Sequence, residues 1–374
     1  MENRPAADFG SMTGAAVLSE AWNGLGATRL LGPATPAQAT PAGEFATALV
    51  AAVAFGSFLM LNVAVVGPWA KRKVMAAFWG KIGPNRHGPW GLLLIPADVL
   101  RLLGKELIVP ERVDRPAWDL GPLLLMWSAL AAFAVIPMGS ILGIEVQIAD
   151  PEVGILYAFA LASMASLGVV MGGYASNNKF SLLGALRAVA SNIAYEIPLV
   201  VTGASAVLFA GTLRTSEIVA VQGEPLVTLA GVTIPQWFGI VNPLAFALFL
   251  AANLAEVGRN PFDVSEAPTE IVAGYQTEYS SVYFVLYYAG EFVHIFLGGA
   301  LAATLFLGGP AGPVLPGFVW FTLKMYGMFL FTQWMRASAP RIRIDQLLGV
   351  GWKGMLVLSF ANLLLTAVLV GLVG

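Results

Sequence analysis

The chain has 374 residues, 57% hydrophobic and 11% charged, with a mean hydropathy of +0.76. A soluble domain carries about 25% charged residues, so this is an integral membrane protein. It has no cysteine, which excludes disulfides, cysteine-ligated iron–sulfur clusters and cysteine-ligated zinc. His87 and His294 are the only histidines, too few for a histidine-rich metal or haem site, so any electron carrier must sit in another subunit.

Residues 1–43 are rich in Ala, Pro, Thr and Gly and lack the basic start and early apolar core of a signal peptide. They are expected to form a poorly ordered extension, with a short helix around Leu18–Leu25. A spanning helix needs about 20 mainly apolar residues. Eight segments meet this need: 45–68, 120–143, 153–175, 189–210, 237–257, 281–307, 317–338 and 353–373. The expected fold is all-α, one polytopic membrane domain over 44–374 with about eight transmembrane helices. Residues 91–109 differ, because Leu92, Leu93, Leu94, Ile95, Leu100, Leu102 and Leu103 mix with Asp98, Arg101, Lys105 and Glu106. That mixture predicts an amphipathic helix along the membrane surface. No internal repeat is visible, which weakens a reading as an inverted-repeat transporter.

Of the 20 basic residues, 16 fall in or beside the connections 69–119, 176–188, 258–280 and 339–352. Arg4, Arg29 and Arg214 lie on the opposite side, and Lys324 lies within a span. The positive-inside rule therefore places these four connections in the cytoplasm and both termini outside.

Ionisable residues inside apolar segments are functional candidates. Glu196 sits in SNIAYEIPLVV, roughly 13 Å from the cytoplasmic end of its span. Pro198 follows and is expected to kink the helix. Glu291 lies in YYAGEFVHIF, with His294 on the same helical face. Glu256 closes the span at 237–257, and Lys324 enters the span at 317–338 from the outer side. A structural pairing across helices accounts for any one of these alone. Together with a loop of further acids they favour a chain of coupled carboxylates that hands protons along. For His294, a hydrogen-bonded structural role weighs as much as a place in the relay.

Three cytoplasmic connections carry unusual chemistry. In the first, Lys71, Arg72 and Lys73 favour anchoring to anionic lipid, while GPNRHGPWG fixes a turn-rich backbone suited to a wall or docking surface. In the second, Asn177, Asn178 and Lys179 form a turn, Ser181 is a candidate cap, and Arg187 stands near the next span. The third is the densest run of acids in the chain: Glu256, Asp263, Glu266, Glu270 and Glu278 surround a single base, Arg259. Arg259 can pair with Glu256 at i+3. Phe262, Ile271, Val272, Tyr275 and Tyr279 interleave the acids at a density typical of packed structure rather than a solvated loop.

The motifs GPNRHGPWGLL with PAD, SNNKFSLLGALR with YEIP, AEVGRNPFDVSEAPTEIVAGYQTEYSS, and PRIRIDQLLGVGWK occur in this order. Over about residues 45–373 the chain resembles the quinone-chamber membrane subunit of respiratory NADH:quinone oxidoreductase, complex I. The bacterial form carries the letter H, and the mitochondrial form is the first ND subunit. The resemblance implies a quinone cavity lined by Asp98, Arg259, Asp263, Glu266, Glu270, Glu278 and Tyr279. It implies a proton relay through Glu196, Glu256 and Glu291, with His294 and Lys324 as secondary candidates. The substrate would be a quinone such as ubiquinone, and no redox centre would reside in this chain. The implied partners are hydrophilic-arm subunits carrying the terminal iron–sulfur cluster, small and antiporter-like membrane subunits, and lipid, in a bacterial inner membrane. The loop at 340–346 matches a family motif through Pro340, Arg341, Arg343, Asp345 and Gln346.

The chain departs from the family's pattern at several places. Lys71-Arg72-Lys73 stands where the family has Glu-Arg-Lys, and Trp79-Gly80-Lys81 replaces Gln-x-Arg. Gly91–Asp98 has Leu94 in place of a glutamine, and Met164 stands where some members carry glutamate. Two other readings share parts of this pattern. One is the equivalent subunit of a proton-pumping hydrogenase or formate hydrogenlyase; the other is a stand-alone ion transporter, which the large docking loops disfavour.

Overall fold

The computed structural model describes residues 41–373, apart from 142–143, 230–231, 266–269 and 313–314. Residues 1–40 of the expected extension and Glu266 lie outside the described residues, while 41–43 already belong to a helix. Helix α1 runs through Pro41–Leu61, a π turn at Asn62–Val66, and Gly67–Phe78. It continues ten residues beyond the expected end at 68, so Lys71, Arg72 and Lys73 belong to the helix and not to a loop. Helix α2, Leu94–Leu103, is the expected amphipathic element in shortened form.

Helix α3, Arg115–Phe133, begins with Pro116 in its first turn, where a missing N–H costs nothing. It was expected to reach 143. Instead Pro137 and Gly139 (φ +91°) end the helical path, and the chain turns back as a ribbon of β1, Ser140–Ile141, and β2, Ile144–Glu145. Helix α4 spans Gly154–Ala175 and α5 spans Lys179–Ala210. The α5 cap is Asn178, whose side chain accepts from the Phe180 N–H at 2.9 Å. Ser181, the expected cap, is instead buried inside the helix. Pro198 lies within α5 without ending it.

A short helix α6, Thr215–Gln222, leads into a second ribbon, β3 (Pro225–Leu229) and β4 (Val232–Pro235). The expected span at 237–257 is broken. A single turn, Phe238–Val241, ends at Asn242, whose side chain caps α7, Pro243–Glu256, through the Ala245 N–H at 3.0 Å. Helices α8, Ser281–Phe306, and α9, Gly317–Ser338, match expectation closely. The last helix, α10, starts at Ile344, passes a π turn at Val350–Met355 and continues as Leu356–Val373. Among the described residues, five helices are long and apolar enough to cross a membrane: α1, α4, α5, α8 and α10.

Helix α8 is the axis of the bundle. Every residue from Ile295 to Phe306 is buried, with α3, α9 and α7 packed around it. Close approach depends on small residues, as is usual between helices in lipid. A Cβ on Gly172 of α4 would collide with the Tyr287 hydroxyl of α8, and one on Gly168 would meet the Gly121 carbonyl of α3 at 2.7 Å. The space is used by Tyr287, which donates to the Gly168 carbonyl at 3.1 Å. Gly172→Ala should destabilise the fold by about 1–3 kcal/mol through overpacking, read as a lower thermal midpoint. Adding Tyr287→Phe, which removes the clashing oxygen, should recover part of that loss.

Candidate functional site

A carboxylate placed in the core needs partners, because an uncompensated buried charge costs several kcal/mol. Glu291, in the first half of α8, has them. Arg259 donates to one carboxylate oxygen at 2.9 Å, while the Tyr275 hydroxyl (2.9 Å) and the Gln276 amide (2.8 Å) donate to the other. The Arg259 side chain is 3% exposed and that of Glu291 13%. This is not the partner the i+3 spacing predicted for Arg259. Helix α7 stops at Glu256, and Gly258 takes a φ of +62°, a left-handed step that favours glycine. The helical spacing is lost there and Arg259 swings across to α8. A 3₁₀ turn at Gly274–Gln276 brings in the other two donors.

Beside Glu291 lies a cavity of about 70 Å³ that also reaches Glu256, His294, Ser191, Asn192 and Tyr275. A water needs about 10–15 Å³ of such space, so the cavity has room for water. Among the described residues the buried His294 Nε2 has no hydrogen-bond partner, and its ring interacts electrostatically with Glu291. Glu196 in turn interacts electrostatically with Glu256. Its neighbour Tyr195 has a structural task, donating to the Leu347 carbonyl of α10 at 2.8 Å and packing on Phe262 at 5.3 Å.

The remaining loop acids part company. Asp263 lies under the charges of Arg336, Arg259 and Arg341, yet burial outweighs them and holds its carboxyl above the ordinary value of 3.8. Glu270 is exposed and bridges helix α5, at Arg187 (2.5 Å), and the connection before α10, at Arg341 (3.7 Å). Its hydrogen bond from Arg187, followed by the Arg341 charge, lowers its pKa below the usual range. Glu278 accepts from Asn178 and faces a separate cleft of about 610 Å³ with Arg112 and Lys179. Tyr279 is packed against Trp118, ring to ring at 3.9 Å, and donates to the Trp118 carbonyl at 3.2 Å. Asp98 sits on α2, paired with Arg72 (2.8 Å) and Arg101 (3.2 Å). Lys71 lies over the rings of Tyr288 and Phe292, at 5.4 and 5.2 Å, and is held by protein aromatics as well as by any lipid.

The structure therefore gathers Glu256, Glu291 and His294 at one cavity, with Arg259 bonded to Glu291, Glu196 interacting with Glu256 and Asp263 nearby. Asp98, Glu270, Glu278 and Tyr279 stand at other places, and Lys324 lies at the far end of α8. Tyr275 and Gln276, which hold Glu291, were not singled out as site residues. They are neutral, and nothing in their spacing marks them.

The raised Asp263 pKa carries a sign. The folded state binds more protons than the unfolded one between 3.8 and the folded value, so this group's contribution falls as pH rises through that window and stays low above it. Asp263→Asn should therefore hold or raise the thermal midpoint at pH 7. That advantage should shrink on acidification below the window, measured by thermal unfolding of both proteins across pH.

The family model described as NADH dehydrogenase matches residues 50–367. The H subunit of NADH-quinone oxidoreductase from Thermomicrobium roseum is 44% identical, covering 83% of this chain and 93% of the relative. Its counterpart in Dehalococcoides mccartyi is 41% identical (85% and 86% covered). The second H subunit of Geobacter sulfurreducens is 43% identical (84% and 94% covered). The chain therefore belongs to the family of H subunits of NADH-quinone oxidoreductase and is a membrane subunit of that enzyme.

Proposed function

We propose that this subunit forms the membrane-side wall of a quinone chamber and passes charge from quinone reduction into the membrane through Glu291, Glu256 and Glu196. The observation that carries this reading is the cavity where Glu291, tied to Arg259, Tyr275 and Gln276, meets Glu256 and His294. Quinone reduction consumes protons as well as electrons, so it alters the charge beside the 257–280 loop. Arg259 and Asp263 feel that change, and Arg259 bonds Glu291 directly. Cavity waters would then connect Glu291 to Glu256, on which the Glu196 carboxylate acts electrostatically. The electrons come from a hydrophilic-arm partner, since the chain has no cysteine to ligate a cluster. The loop's polar face, with Glu270 tied to Arg187 and Arg341, offers that partner a fixed surface.

The same reading assigns eight spans. Helices α3 and α9, of 19 and 22 residues, and the broken element ending in α7 complete the five apolar helices, with the 16 basic residues facing the cytoplasm. The far ends of Glu196 and Glu256 would address antiporter-like membrane partners.

In the assembled complex reconstituted into liposomes, Glu256→Gln and Glu196→Gln should each lower proton pumping per NADH oxidised while the complex still assembles. Normal coupled pumping in both variants would remove the relay. Arg259→Ala should cost about 3–5 kcal/mol of local stability by stripping Glu291 of its cation and should depress quinone reduction, with Arg259→Lys partly restoring it. Unchanged quinone kinetics in Arg259→Ala would reject a role for this pair at the chamber.

A further inference from the structure

The turn that follows α8 leaves almost no backbone group for water. The N–H groups of Leu307 and Gly309 both donate to the Ala303 carbonyl (3.1 and 2.8 Å), and that of Ala311 to Gly308 (2.8 Å). The Gly308 N–H donates to the Gln222 side-chain oxygen at 2.9 Å, while the Gln222 amide donates to the Thr304 carbonyl at 2.8 Å. Residue 310 is proline and has no N–H. The carbonyls of Leu307, Gly309 and Ala311 all accept from a single atom, Lys324 Nζ, at 2.6, 2.8 and 2.7 Å. The ring of Trp237 lies 4.5 Å from the same nitrogen and covers it.

An ammonium has three donors, and all three are committed here. Lys324 is 6% exposed, and it has no ion pair among the described residues. It therefore behaves as a dehydrated cation in a cage of carbonyl dipoles, the arrangement by which carbonyl rings replace a hydration shell. Its charge also faces the C-terminal end of α8, where a cation is favourable. Passing a proton onward would break three hydrogen bonds, which makes Lys324 a poor relay member. It lies roughly 24 Å along the helix from Glu291, at 1.5 Å per residue.

We propose that the Lys324 ammonium is a tethered cation that plugs the end of the core remote from Glu291, sealing the bundle there against protons and small cations. Naming that end the outer one rests on the orientation proposed above; the plug itself does not.

The test uses the assembled complex in liposomes with neither NADH nor quinone present. After a pH jump, Lys324→Met should leak protons passively faster than the wild type. Its Leu307, Gly308, Gly309 and Ala311 amides should exchange with deuterium about tenfold faster, the loss expected for removing charge-assisted hydrogen bonds. Unchanged leak together with unchanged exchange would overturn the proposal. Should the methionine variant fail to assemble, the wild-type complex decides: the Gly308, Gly309 and Ala311 amides should be strongly protected, and rapid exchange there would reject a sealed turn. In Lys324→Ala, ammonium chloride should raise the thermal midpoint where equal choline chloride does not; equal effects of the two salts would reject the carbonyl cage as a cation site. Passive leak needs no quinone chemistry, so this result and the fate of the relay variants are independent.

Discussion

The arrangement depends on keeping one carboxylate, Glu291, largely buried inside a helical core. Three donors from one loop satisfy it, and that requirement fixes the loop as firmly as it fixes the acid. Arg259, Tyr275 and Gln276 reach Glu291 only if the chain turns sharply after α7 and returns over α8 before α8 begins. The same loop is then tied at its edges, by the Ile342 N–H on the Pro261 carbonyl at 3.0 Å and by Glu270 on Arg187 and Arg341. A disturbance at Arg259 is thus felt both at the polar surface and in the membrane core, because one side chain belongs to both.

Helix α8 joins two opposite solutions to the problem of polar groups in an apolar bundle. Near Glu291 the polar groups border a cavity with room for water, and among the described residues His294 Nε2 lacks a protein partner. At the other end, Gln222 and Lys324 consume the free backbone groups of the turn. Buried polar networks are costly when half satisfied, so the incomplete end is the place where exchange with water or protons can serve a purpose. The complete end serves rigidity.

Hydropathy found the membrane character and the approximate place of each apolar segment, because apolar runs of that length have few other uses. It misjudged helix ends for a consistent reason: it reports contact with lipid, whereas a helix continues wherever capping and hydrogen bonding allow. Helix α5 starts at Lys179 and includes Arg187, and α1 carries Lys71 to Lys73, although both stretches read as loop. Conversely, Pro137 and Gly139 ended α3 inside an apolar stretch. The acids of the site were legible because charge is rare in this chain. Their partners were not, since Arg259 meets a residue 32 positions away through a turn made by Gly258. The neighbouring loop acids read as one cluster in the sequence; in three dimensions a few residues of separation took Glu270 to the surface and Glu278 to another cleft.

The carboxylates differ in a way that gives the proposed relay a direction. Glu291 is held as a fixed hydrogen-bond acceptor by a cation and two neutral donors, whereas Glu196 and Glu256 have no ion pair among the described residues and act on each other. In the proposed relay a change at Arg259 would first alter the charge balance of Glu291, and Glu256 and Glu196 would answer by gaining or losing a proton. Moving a charge against 100 mV requires about 2.3 kcal/mol and breaking a buried ion pair costs about 3–5 kcal/mol, so in the proposed relay quinone reduction would have to supply the work. The fixed pair is therefore suited to act as the trigger and the unpaired acids as the carriers, an order that reversing their environments would abolish.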